Sequence, residues 1–158
     1  MAISSTAKSK FSIGTSKAAA ILTDYTSDTF KDIGELEDIG EFGDSAEEIT
    51  FASISDARMR KAKGVRDAGT IEITVGRDPT DVGQVALRAA LASDAPFNFK
   101  VELADKPTAG ASPKNTVLYF RALVLGAKNV MGGVNDITKQ TFSLSITSEV
   151  LEVPASAT

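Results

Sequence analysis

Beyond residue 48 the chain alternates hydrophobic and polar positions with period two, the pattern of strands with one covered face. Ile49, Phe51 and, after a phase slip, Ile54 mark a first strand, and Ile71, Ile73 and Val75 against Thr70, Glu72 and Thr74 mark a cleaner one. Residues 97–103 place Phe97, Phe99, Val101 and Leu103 inward. Residues 141–151 set Phe142, Leu144 and Ile146 against a small, hydroxylated face of Ser143, Ser145 and Thr147. Residues 117–125 (VLYFRALVL) are apolar on both faces apart from Arg121, which predicts a strand beneath a helix or at a subunit contact.

One helix is signalled. Asp78 suits an N-cap, Pro79 suits the first helical position and Asp81 favours the helix N-terminus, so the segment is predicted from about Pro79 to about Ser93. At 100° per residue, Val82, Val85, Ala86, Leu87, Ala89, Ala90 and Leu91 cover most of its circumference and leave Gln84 and Arg88 as a narrow polar strip. One side is expected against the sheet and the other against a neighbouring subunit; the plainer alternative is a helix tucked on its own sheet with exposed alanines. Residues 30–45, rich in Gly and acid, predict a long loop of the kind that usually carries function. Residues 11–29 offer only a short candidate strand at 19–23. Residues 1–10 and 154–158 read as arms. The fold expected is mainly β: a β-sandwich or barrel of two antiparallel sheets with one flanking helix and a long loop, in one domain over residues 1–158.

Composition narrows the chemistry. At 158 residues without cysteine or histidine, the chain has no disulfide, thiolate or imidazole metal site, and no Ser-His-Asp or Cys-His arrangement. Net charge is only −4, but residues 24–48 hold Asp24, Asp28, Asp32, Glu35, Glu37, Asp38, Glu41, Asp44, Glu47 and Glu48 against Lys31 alone. Arg58, Arg60, Lys61, Lys63 and Arg66 follow without an acid among them. Such blocks are either solvated surface or complementary contacts between copies that fix register. Five basic residues without interleaved aromatics fall short of a nucleic-acid groove. The acids of ELEDIGEFGD lack a sugar platform and the spacing of a calcium loop, and GAKNVMGG (126–133) lacks the order of a phosphate loop and reads as a hairpin or bulge. Residues 1–14 have no apolar leader segment and no apolar run reaches membrane-spanning length, so residence in a cytoplasm is expected.

Three motifs occur in order: Gly34-Glu35-Leu36, then Gly64-Val65-Arg66-Asp67-Ala68-Gly69, then Asp78-Pro79-Thr80-Asp81-Val82-Gly83-Gln84-Val85-Ala86-Leu87. In this order and spacing the chain resembles the major tail tube proteins of long-tailed, siphovirus-type bacteriophages, in motif detail over residues 30–93 and in strand pattern beyond. Residues 11–28 match no pattern of that family. The resemblance implies a structural virion protein, not an enzyme and without cofactors. Such proteins form hexameric rings whose inner sheets join into a barrel and stack into a channel for double-stranded DNA and the tape measure protein. Tail terminator and tail tip proteins are the further implied partners, with assembly in the host cytoplasm and residence in the virion tail.

On this reading, Gly34, Glu35, Glu37, Asp38, Glu41, Arg58, Arg60, Lys61, Arg66, Asp67, Val82, Ala86 and Ala89 are the candidates for contacts between subunits and rings. A wall that lets DNA slide past should be acidic or neutral, since each phosphate neutralised by a cation adds counterion-release affinity. Thr70, Glu72 and Thr74 with Ser143, Ser145 and Thr147 are therefore the candidates to face the channel, although the same faces could simply meet outer solvent. A gene transfer agent tube or a type VI secretion ring would share the fold. A carbohydrate-binding or hydrolytic β-sandwich would need an aromatic-lined concave surface that a chain without tryptophan does not suggest.

Overall fold

A computed structural model describes residues 3–158. The architecture is mainly antiparallel β, as expected, but its two sheets are unequal. Ten strands and two helices run in the order β1 (Lys10–Ile13), α1 (Leu22–Thr26), β2 (Lys31–Asp32), β3 (Leu36–Asp38), β4 (Ser45–Ala52), β5 (Met59–Asp67), β6 (Thr70–Gly76), α2 (Val82–Leu91), β7 (Phe97–Glu102), β8 (Val117–Val130), β9 (Lys139–Ile146) and β10 (Leu151–Val153). Eight strands form one sheet in the order β2-β1-β7-β8-β9-β6-β3, with β10 also on β8, while β4 and β5 pair only with each other.

The two ends of the large sheet are consecutive in sequence. β2 closes one edge and β3 the other, yet only residues 33–35 separate them, so the edges lie within about 14 Å at roughly 3.5 Å per residue. The sheet must therefore curl into an incomplete barrel. Its inside is filled by Phe11, Ile13, Ile71, Ile73, Val75, Phe99, Val101, Phe120, Ala122, Phe142 and Leu144, with Leu87 and Ala90 of α2 as the plug. Phe99 and Phe120 stack at 5.7 Å and Phe11 leans edge-on to Phe120 at 6.2 Å. The period-two strands 70–76, 97–102 and 139–146 were legible because each sends every second residue into this core.

Strand β8 is longer than 117–125 and is apolar on both faces for a local reason. Phe120, Ala122 and Val124 enter the barrel, whereas Tyr119 and Val117 join a second cluster with Tyr25 of α1, Phe30, Leu151 and Val153. Tyr25 stacks on Tyr119 at 5.4 Å. The candidate strand at 19–23 is instead the approach to helix α1, whose first turn is fixed by Asp24 accepting from the N–H groups of Ala20 and Ile21.

Other expectations need correction. The helix starts at Val82, not Pro79, and ends at Leu91, with Asp81 as its N-cap: the carboxylate accepts from the Gln84 N–H at 2.9 Å. Asp78 is occupied in a tight turn, accepting from the N–H and hydroxyl of Thr80, so Pro79 precedes the helix. The long loop of 30–45 is mostly pinned backbone, since it contributes β2 to β1, Ile33 to the core and β3 to β6. The C-terminal tail folds back on its own subunit, with reciprocal backbone hydrogen bonds between Ser156 and Lys114 and a bond from the Ala155 N–H to the Thr116 hydroxyl. Of the N-terminal arm, Met1 and Ala2 lie outside the described residues. The glycines of 126–133 serve a hairpin, as anticipated, with Gly126 at a β-bulge.

Candidate assembly surfaces

The motifs at residues 34–36 and 78–87 are brought together inside the subunit. Gly34 donates its N–H to the Asp81 carboxylate at 3.1 Å, so one acid caps the helix and holds the barrel-closing segment. Gln84, expected on an exposed polar strip, is wholly buried. Its amide donates to the carbonyls of Gly34 at 3.1 Å and Gly76 at 2.9 Å, and its oxygen accepts from the Asp78 N–H and the Arg88 guanidinium at 3.0 Å each. Gly83 is where the helix touches β2: a Cβ there would overlap the Asp32 carbonyl and stand 2.6 Å from the Ile33 Cα. Sequence reasoning missed this clamp because Gln84 and Arg88 were read as a wet strip, although the Asp-x-Gly-Gln spacing was its signal.

With Gln84, Leu87 and Ala90 turned in, the helix presents a second apolar side to solvent. Val82, Val85 and Ala89 are exposed and Ala86 is half-buried, which gives an apolar stripe without a charge.

The β4–β5 ribbon is the second uncovered surface, and of the seventeen residues in its two strands only Gly64 is even half-buried. The register puts Ile49 opposite Ala62 and Phe51 opposite Arg60, so one face carries Ile49, Phe51 and Ala62 with Arg60 beside them. Glu48, Thr50, Lys61 and Lys63 line the other, where Lys61 meets Glu48 at 3.2 Å. Phe51 is 64% and Ile54, at the tip, 103% exposed. The tip is ordered by Asp56, which accepts from Arg60 at 2.8 Å and from the Arg58 N–H; these bonds, the Arg60 guanidinium first, hold its carboxyl below the ordinary range. Arg66 and Asp67 sit at the base, where Gly69, at φ +75°, turns the chain into β6 and donates its N–H to Asp67. A two-stranded ribbon is marginal in water without something to pack against.

Glu35, Glu37, Asp38 and Glu41 are all exposed along the β3 edge, and Lys139 pairs with Glu37 at 2.7 Å. The hydroxyl rows are also brought together. Thr70 stands opposite Ser145, Glu72 opposite Ser143 and Thr74 opposite Thr141, on the face away from the core. Thr74 and Thr141 hydroxyls are 3.4 Å apart. Thr147 continues the row beyond β9, donating its N–H to the Arg121 carbonyl. Asp38 and Lys128 join this face across from Thr74 and Thr141, and Lys139 lies on it two residues before Thr141, so the face carries Glu72, Asp38, Lys128 and Lys139.

Within the large sheet, β8 and β6 each leave part of an inner edge without a strand partner among the described residues. β7 covers β8 only as far as Ala122, which leaves residues 123–130 open on that side. β3 covers β6 only at Thr74 and Val75, which leaves residues 70–73 open on the other side, although Gly40 crosses close to the Glu72 carbonyl.

No protein-family model matches the chain, and no curated protein matches it in sequence. Its fold, however, is shared over nearly its whole length with solved tube components. The anti-feeding prophage tube-terminating cap superimposes with TM-score 0.68 at 13% identity, covering 96% of this chain and 91% of that one. The SPP1 tail tube gives 0.63 at 16%, covering 92% and 76%. A chain of the native gene transfer agent virion gives 0.60 at 13%, covering 90% and 95%. The neighbours are thus structural proteins of phage tails, gene transfer agents and contractile injection systems, and this chain has their fold. Among the described residues no helix is long and apolar enough to cross a membrane.

Proposed function

We propose that the chain is the repeating subunit of a tail tube, with residues 1–158 forming one tube domain that assembles into rings, six-membered by the resemblance, and stacks into a channel for DNA. The observation that carries this reading is the ribbon, an ordered two-stranded arm whose Ile49 and Phe51 its own subunit leaves bare. Lateral joining is supported by the open edges of β8 and β6, which lie on opposite sides of the β8-β9-β6 sheet and suit edge-to-edge pairing between neighbours. The acids Glu35, Glu37, Asp38 and Glu41, the bases Arg58, Arg60, Lys61 and Arg66 with Asp67, and the helix stripe of Val82, Ala86 and Ala89 supply the contacts. Gly34 serves them indirectly by holding the β3 edge in place. The rows of Thr70, Glu72, Thr74, Ser143, Ser145 and Thr147 line the channel, which passes DNA without binding it. Tape measure, terminator and tip proteins are the partners, and the virion tail is the location. The siphovirus assignment rests on the motifs of residues 34–87.

Negative-stain microscopy and light scattering over a concentration series test this. Rings or tubes are expected to appear as concentration rises. A species that stays monomeric at high concentration, with no rings or tubes, overturns the proposal. Removal of residues 47–65 should leave a folded subunit that no longer builds tubes.

A further inference from the structure

The two most exposed hairpins leave the subunit at opposite ends of one strand pair. β6 and β9 run in register from Thr70 opposite Ser145 to Gly76 opposite Lys139. The ribbon joins at the Thr70 end, where Asp67 of its base is linked to β6 through Ala68 and Gly69. The β8–β9 turn, residues 131–138, lies at the Gly76 end, about 20 Å away at roughly 3.3 Å per residue.

That turn is built, and it is apolar. The Gly133 N–H donates to the Asp136 carboxylate at 2.7 Å, and the Asp136 N–H returns to the Gly133 carbonyl at 3.1 Å. Arg77 fixes the stem, its N–H donating to the Thr138 carbonyl and its guanidinium to Asn129, both at 2.9 Å. The ordered turn holds Met131, Val134 and Ile137 in solvent, Val134 at 102% exposure and Met131 at 76%. Contiguous apolar side chains on a fixed turn mark a contact surface.

Charge distinguishes the two ends. Glu35, Asp38, Asp78 and Asp136 surround the turn end, and none of them has a lysine or arginine within 4 Å among the described residues; of the bases there, Lys139 and Arg77 are engaged by Glu37 and Asn129, and Lys128 stands opposite Thr141. At the ribbon end Arg60 and Lys61 are paired within the ribbon, whereas Arg58, Lys63 and Arg66 have no acidic partner among the described residues.

We propose that the Ile49–Phe51 face of one copy's ribbon docks on the β8–β9 turn of a second copy, with Met131, Val134 and Ile137 as its apolar seat and Arg58, at the ribbon's tip, against the acids around it. Because the two surfaces differ and sit at opposite ends, the contact is head-to-tail and open-ended. This rests on the tube reading and names the surfaces that join one ring to the next.

The chain has no cysteine, so engineered thiols report this contact without background. Phe51→Cys and Val134→Cys combined in one chain, oxidised under assembly conditions, should give a ladder of disulfide-linked multimers on non-reducing gels. An equimolar mixture of the two single variants should stop at dimers. Tubes seen by microscopy without any ladder overturn this pairing and leave the tube reading standing. Dimers from Phe51→Cys alone mean that ribbons pair with ribbons, which also overturns it. An unmodified chain that never assembles removes both. As a second arm, Met131→Asp with Val134→Asp, both at exposed positions, should leave the melting temperature of the free subunit unchanged and abolish tubes while rings persist.

Discussion

The side-chain amide of Gln84 donates to the carbonyl of Gly34 at 3.1 Å, across fifty residues of chain, and so ties helix α2 to the segment that joins the two edges of the barrel. A Gln84→Leu subunit would keep the volume and strand the carbonyls of Gly34 and Gly76 and the N–H of Asp78. At about 1–3 kcal/mol for each buried group left unpaired, the loss should be about 3 kcal/mol or more. Urea unfolding measures it, and an unchanged midpoint would mean that the clamp contributes nothing.

Gly83→Ala sets two effects against each other. Alanine in a helix interior gains about 1 kcal/mol over glycine. Here its Cβ would overlap the Asp32 carbonyl, a backbone atom held in β2 that cannot rotate away. Overpacking of this kind costs about 1–3 kcal/mol, so the variant should be less stable than the parent. A raised melting temperature would show that β2 yields freely.

Much of the fold was legible because burial and periodicity coincide. Ile71, Ile73 and Val75, like Phe142, Leu144 and Ile146, alternate because one face enters the core. The same signal at Ile49 and Phe51 was read only as a strand; alternation says that a face is to be covered, not by which molecule, and here the subunit leaves it bare. β2 and β3 escaped notice because two- and three-residue strands carry no period and are held by single buried residues such as Ile33. The helix start was displaced because Asp78 and Asp81 are both plausible caps in sequence, and only the contact of Asp81 with Gly34 distinguishes them. The hydroxyl rows were found together because pairing register follows from alternation, whereas the apolar turn of Met131 to Ile137 has no period to reveal it.

Stability should fall in acid through Asp28. Burial alone would raise its carboxyl, but hydrogen bonds from the Asn98 amide, the N–H and hydroxyl of Thr15 and the N–H of Thr29 outweigh this and hold it below the ordinary value. A depressed folded value means that the contribution is complete above the unfolded aspartate range, near pH 4, and is lost as pH drops through the folded value. Asp28→Asn should therefore flatten the dependence of the unfolding free energy on pH below about 4. A parallel pH profile would place the acid sensitivity elsewhere.

Charge reversal at Arg58, Lys63 and Arg66 should impair assembly more than reversal at Arg60 and Lys61, because the latter two are already neutralised within the ribbon by Asp56 and Glu48. The defect should be larger in low salt than in high salt, since exposed pairs are screened over about 10 Å at 0.1 M. Scattering at several ionic strengths reads this, and assembly that is equal at every salt would show the cations to be merely solvated.

The hydroxyl face gives the last prediction. Thr70, Glu72 and Thr74 face Ser145, Ser143 and Thr141 across the ladder, with Asp38, Lys128 and the Glu37-paired Lys139 on the same face. If this surface lines the channel, passing DNA meets mainly short dipoles and carboxylates, with Lys128 as an exposed base among them. Glu72→Lys with Thr74→Lys changes side chains that point away from the core, Glu72 exposed and Thr74 half-buried, so subunit and tube should form as before. Each added lysine can release counterions on contact with a phosphate, and repetition around every ring multiplies the attraction. Duplex DNA should then be retained by the variant tubes in low salt and released as salt rises, and ejection should slow. Loss of ring formation, or DNA passage at the parental rate, would remove this face from the channel.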